Sequence, residues 1–266
     1  MNYDYDDIFN RNIGLLSIEE QEKLKQSKLV VFGAGGLGGV IAEILARSGI
    51  SHLTLVDRDK FEISNLNRQI FAFTDTLGEY KVDVAEKFLK QINPEINIRK
   101  YLEVNSRNIS ELMNDVHIAV VALDDVVPIV IISRYARQTN IPLVEGWAIP
   151  FGNVRVFNKD TPSLEEVYHL NLADKDLEKL SLEERKALNL AMLYELKKIR
   201  GIQSYYPEFA MQRISAGKIP SFAPMVWFTA VMMSIEVIKV LLGWGEIALS
   251  PEFSLYDPYT HSTPIK

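Results

Sequence analysis

The chain has 266 residues, 47% of them hydrophobic, which is enough for one large domain or two intimate ones around a sizeable core. A net charge of −6 and a pI near 5.4 argue against nucleic acid as a partner, because that partner selects basic surface. Cysteine is absent, which removes disulfides, thiolate metal sites and any thiol nucleophile that would carry a thioester.

The first residues, MNYDYDDIFNRNIG, are acidic and lack the basic and apolar segments of a secretory leader, so the expected location is the cytoplasm. Ser17-Ile18-Glu19-Glu20 then has the pattern of a capping box opening a short helix. Leu29 to Phe32 is an unbroken apolar run ending at Gly33, as expected of a parallel strand buried on both faces. A helix is predicted from Gly38 to about Arg47, closed by Ser48-Gly49. Leu53 to Val56, ending at Asp57, completes a βαβ unit. Lys81 to Ile92 reads as an amphipathic helix with Val84, Phe88 and Leu89 on one face. Further strands are predicted at 96–102, 118–123, 142–144 and 154–157.

Past Phe157 the composition turns charged and helical, with Ser163/Glu166 and Ser181/Glu184 as two more capping boxes and Leu188, Met192 and Leu196 at helical spacing. Residues 201–224 mix Gly, Pro, Tyr and Ser and read as a long ordered loop or lid. An apolar helix over about 225–242 follows, and a short strand at 253–256 closes the chain. The apolar run Pro220 to Ile235 is shorter than the ~20 residues that span a bilayer, so a buried helix is expected and no membrane partner. The expected class is α/β with a mixed sheet. A Rossmann-like nucleotide-binding half occupies 1–157, and a helical insertion with a substrate-facing C-terminal half occupies 158–266.

Gly33-Ala34-Gly35-Gly36-Leu37-Gly38 places a GxGxxG where a strand becomes a helix. Gly33 allows the tight turn, Gly35 lets phosphate approach the backbone with Gly36 beside it, and Gly38 permits close helix–strand packing. The helix start offers free amides and the positive end of its dipole. Asp57 ends the next strand, 19 residues after Gly38 (57 minus 38), where a carboxylate binds ribose hydroxyls. The four histidines are far apart and lack metal-ligand spacing.

This motif alone does not separate ATP from a nicotinamide or flavin cofactor. The segments GAGGLG, LVDRDKFEISNLNRQ, GEYK, INPEI and VVALDD, in that order, resemble the superfamily of ubiquitin-activating enzymes and their bacterial relatives ThiF, MoeB and HesA. The resemblance implies an enzyme that binds ATP with magnesium and adenylylates a carboxylate, releasing pyrophosphate. The acid is then the tail of a carrier protein, a peptide C-terminus or a small metabolite. It also implies roles by position: Asp57 on the ribose, Asn65, Arg68 and Lys81 on the phosphates, and Asp124 on magnesium, with Asp125 as the neighbouring alternative. Arg11 would reach the phosphates from the other subunit of a homodimer. Without cysteine, the structural zinc and thioester cysteine of many family members have no counterpart. The alternatives are a catalytically silent nucleotide-binding partner subunit and an NAD- or FAD-dependent oxidoreductase. The pair Arg68 and Lys81 argues against the oxidoreductase.

Overall fold

The computed structural model describes residues 4–148, 152–172, 175–198, 208–216 and 219–257. Seven strands form one mixed sheet in the order β3-β2-β1-β4-β5-β6-β7. They are β1 (Lys28–Phe32), β2 (His52–Val56), β3 (Asn97–Tyr101), β4 (Ile118–Val121), β5 (Leu143–Trp147), β6 (Asn153–Phe157) and β7 (Ser254–Leu255). The first five are parallel; β6 pairs antiparallel with β5, and β7 antiparallel with β6. Strand order reverses between β1 and β4, so a crevice opens at the carboxyl ends of those two strands.

The helices are α1 (Tyr5–Phe9), α2 (Ile18–Gln26), α3 (Gly36–Arg47), α4 (Lys81–Ile92), α5 (Ile109–Leu112), α6 (Val126–Thr139), α7 (Leu164–Val167), α8 (Leu182–Lys197), α9 (Glu208–Ser215) and α10 (Ala223–Leu242). The strand period of two sends Val30 and Phe32 to one face and Leu29 and Val31 to the other. The first face is covered by α5, α6, α7 and α8, the second by α2, α3, α4 and α10. Burial on both faces accounts for the continuous apolar runs at β1, β2 and β4. The three capping boxes at Ser17, Ser163 and Ser181 all form.

Two expectations need correction. Within 201–224, residues 208–215 form the helix α9 rather than a loop; residues 201–207 and 217–218 lie outside the described residues. The apolar run extends into a 20-residue helix, α10, long and apolar enough by itself to cross a membrane. In this fold α10 packs along α3 and against β5 and β6, where Ala230, Met233 and Val237 are fully buried. Pro224 fits its first turn, and Gly243 in the left-handed region (φ +74°) ends it.

Candidate nucleotide-binding site

The crevice is built around the turn from β1 into α3. Gly33 sits at φ +99°, and a Cβ there would collide with the carbonyl oxygen of Ala122 at the end of β4. A Cβ on Gly38 would collide with the carbonyl oxygen of Gly33, so the first turn of α3 folds back onto its own approach strand. Gly35 is the N-cap of α3 and makes no side-chain cap, which leaves the first amides free for an anion.

Asp57 lies buried at the end of β2 and braces this loop. One of its oxygens accepts from the Ala34 amide at 2.7 Å, and the other accepts from the Asp59 amide at 2.8 Å. Burial pushes the Asp57 carboxyl upward, against the pull of Lys81 and those two amides. Lys81 begins α4, the helix end where a cation is least favoured by the dipole. It is held there by carboxylates: Nζ lies 2.9 Å from Asp59 and 3.9 Å from Asp57, and the side chain is only 7% exposed.

Arg68 follows a short 3-10 turn, Ile63–Asn65. Its guanidinium donates to the Ser64 carbonyl at 3.0 Å and to Asn67 Oδ1 at 2.8 Å. Among the described residues it has no carboxylate at ion-pair distance. Half-burial lowers its pKa, and Asp124 only partly offsets this. A Cβ on Gly36 would stand 3.5 Å from Arg68 Cγ, which places the guanidinium stem over the start of α3. Asn65 is buried and caps its own turn, accepting from the Glu62 amide at 3.0 Å, while its amide nitrogen lies 3.4 Å from Ser64 Oγ.

Asp124 follows β4 on the far side of the reversal point and is exposed. Its neighbour Asp125 is the N-cap of α6 and accepts from the Val127 amide at 3.2 Å. One free carboxylate beside a phosphate site suits magnesium, which keeps waters and binds through one or two carboxylates plus phosphate oxygens. No cluster of three metal-ligating side chains occurs among the described residues, and such a site needs none.

Arg11 is apart from this group. It lies exposed on a 3-10 turn, Asn10–Asn12, whose Asn12 donates to Gln21 and whose neighbour Tyr5 donates to the Gly49 carbonyl beyond the last turn of α3. The 12 residues of α3 put roughly 18 Å between that end and the glycine loop.

Two groups at the site escaped sequence reasoning. Gln69 is buried with Oε1 unpartnered among the described residues, and its Nε2 lies 3.6 Å from where a Gly35 Cβ would be. The start of α10 supplies another wall: Val226 faces Gly36, Asn67 donates to the Ser221 carbonyl at 3.1 Å, and the Trp227 indole donates to the Arg68 carbonyl at 2.8 Å.

The ThiF family model matches residues 9–265. A molybdopterin-synthase adenylyltransferase of Haemophilus influenzae is 35% identical over 168 residues, 61% of this chain and 69% of that protein. The Escherichia coli protein of the same description is 27% identical over 256 residues, 95% of this chain and 88% of its own length. Other curated relatives are covered over only about half their length. Among solved structures, "E. coli MccB + ATP" superposes with a TM-score of 0.67 at 22% identity, over 93% of this chain and 65% of that one, which establishes the shared fold. The chain belongs to the ThiF family.

Proposed function

We propose that this chain is an ATP-dependent adenylyltransferase that activates a carboxylate as an acyl-adenylate. An oxygen of the ionised acid attacks the α-phosphorus, the bond to the β-phosphate oxygen breaks, and pyrophosphate leaves. No general base is required, since a carboxylate is already charged near neutral pH. The difficulty is electrostatic, because an anion must approach a polyanion, and positive groups must meet the charge that collects on the leaving oxygens.

One observation carries the reading: a half-buried guanidinium, Arg68, held over the free amides of α3 without a carboxylate of its own. Such a group is stabilised by an arriving phosphate, and it stands where charge collects on a departing pyrophosphate. Lys81 adds a second cation, and its bond to exposed Asp59 can be exchanged for a phosphate oxygen. Asp57 keeps lone pairs for ribose hydroxyls while bracing the loop. Asn65 fixes the turn that carries Arg68. Magnesium, held by Asp124, would shield the phosphate oxygens.

The proposed active form is a homodimer in which Arg11 meets the partner copy's nucleotide; its position beyond the far end of α3, away from its own glycine loop, is compatible with that role. The proposed acid is a carrier-protein tail, a peptide terminus or a small metabolite; the description of one relative, a sulfur carrier protein adenylyltransferase, favours the first. Acid-dependent exchange of labelled pyrophosphate into ATP, screened across these three classes, tests the reading. Exchange that needs both magnesium and one class of acid supports it. Tighter binding of NAD than of ATP overturns it.

A further inference from the structure

The face of the sheet beneath α7 and α8 holds a second polar group, remote in kind from the nucleotide crevice. Glu145 on β5 and Arg155 on β6 are directly paired across the antiparallel ladder. Arg155 is the central residue of its strand, not one at a strand end. The two residues are 1% and 5% exposed. Tyr168, also buried, donates its hydroxyl to Glu145 Oε2 at 2.7 Å. Arg155 does not share that bond: its Nε stands 3.8 Å from the same oxygen, beyond hydrogen-bonding length. The guanidinium lies instead against the rings of Tyr168 and Phe253, 5.4 and 5.2 Å from their centroids. Among the described residues it makes no hydrogen bond, and Nε is buried with no acceptor.

A guanidinium carries five donors, and a buried one without an acceptor, here Nε, is costly. Arg155 lines a cavity of about 480 Å³, within the range of small-ligand sites. Val167, Leu196 and Phe253 give that cavity an apolar wall. Its other charged groups are committed elsewhere. Glu166 accepts from the amide and hydroxyl of Ser163, and Glu195 pairs with Lys198 at 2.6 Å. Burial pushes the Glu145 carboxyl upward, against the pull of Arg155 and the Tyr168 hydroxyl. The guanidinium has Glu145 at ion-pair distance, 3.8 Å, but makes no hydrogen bond to it, so its donors remain open toward the cavity.

We propose that this cavity binds a carboxylate-bearing ligand of amino-acid size, its carboxylate on Arg155 and its apolar body on Val167, Leu196 and Phe253. The planar fork of arginine suits a carboxylate, which accepts two parallel N–H bonds. The carboxylate belongs either to a free acid or to a side chain or terminus of a peptide.

Calorimetric titration of the whole protein without nucleotide separates these sources. The probes are glutarate, the α-amide of N-acetylglutamate and N-acetylalanine, with sodium phosphate for comparison. At least one carboxylate should bind saturably and more tightly than phosphate. Arg155→Met should weaken it tenfold or more while leaving ATP binding as it was. Val167→Phe narrows the cavity at its apolar wall and keeps the guanidinium, so it should weaken binding even where Arg155→Met disturbs folding. The proposal is overturned if none of the three carboxylates saturates, if phosphate binds equally well, or if Val167→Phe leaves binding unchanged. The result holds or fails independently of adenylylation, because no nucleotide is present.

Discussion

The indole N–H of Trp227 donates to the main-chain carbonyl of Arg68 at 2.8 Å, joining the first turn of α10 to the turn that carries the guanidinium. The bond spans 159 residues of sequence, and through it a helix of the C-terminal half fixes the residue proposed to meet the phosphates. Trp227→Phe keeps the ring and removes the donor. The expected loss is about 1 kcal/mol of positioning, roughly fivefold in pyrophosphate exchange, with little change in melting temperature. An unchanged exchange rate would show that the turn holds Arg68 unaided.

Arg68→Ala should lower acyl-adenylate formation by about 10²–10³-fold, the usual effect of removing a stabiliser of developing charge. Its folding should be unaffected, since no carboxylate depends on it. Lys81→Ala should differ. It strands the buried Asp57 carboxylate, so it should cost about 3 kcal/mol of stability in addition to activity. Paired thermal melts and exchange assays distinguish the two variants; equal melting temperatures would mean that Asp57 is compensated by its amides alone.

Asp124→Asn should move the magnesium dependence of turnover to higher concentration and leave nucleotide binding nearly intact, because an amide is a poorer ligand for a hard cation. Asp125→Ala should do the reverse: about 1 kcal/mol of lost stability from the uncapped α6, with the magnesium curve in place. Exchanged phenotypes would reassign the ligand to Asp125.

The glycines of the loop separate into two kinds. Gly38→Ala places a methyl on the Gly33 carbonyl and should abolish folding or leave the protein severely destabilised. Gly35→Ala has ordinary van der Waals room beside Gln69. It should therefore fold normally and bind ATP weakly, because the methyl occupies the approach path of the phosphates. Circular dichroism with nucleotide titration checks both.

Tyr5 donates to the Gly49 carbonyl at 2.6 Å and accepts from Gln21 at 2.9 Å, and burial pushes its hydroxyl up to about 12. Its folded value lies above the ordinary phenol value near 10. The stabilisation is therefore complete below about pH 10 and lost as pH rises through about 12. Melting temperatures of Tyr5→Phe and the parent, compared over that window, should converge as pH rises. A constant gap would place the Tyr5 titration outside it.

Much of this architecture is readable from residue pattern. The runs at β1, β2 and β4 are continuous because both faces are covered, and Lys81 to Ile92 shows its helical period because one face is not. The glycine loop and Asp57 follow from the spacing of the βαβ unit. Harder to see was β5, which runs on through Glu145 to Trp147 beyond the expected end at residue 144. A glutamate normally ends a buried strand; here Arg155 and Tyr168, distant in sequence, answer it. Trp227 and Gln69 stayed hidden for a related reason. One acts through a main-chain carbonyl and the other by proximity to a glycine, and neither relationship leaves a spacing to read.

The mutual dependence of Asp57 and Lys81 bears on how a lineage built on this scaffold can decay. Both are buried: losing Lys81 strands the Asp57 carboxylate, and losing Asp57 frees the Ala34 and Asp59 amides that it braces, so losing either one alone damages the fold before any question of catalysis arises. A descendant that has abandoned chemistry and survives as a binding subunit is thus under pressure to retain both. Their presence in a homologue is evidence of a sound β2–α4 junction and says little about turnover. Arg68 is free of that constraint: no carboxylate leans on it, and drift can erase it at small structural cost. Among related sequences, an arginine at that position is the more discriminating mark of a working enzyme.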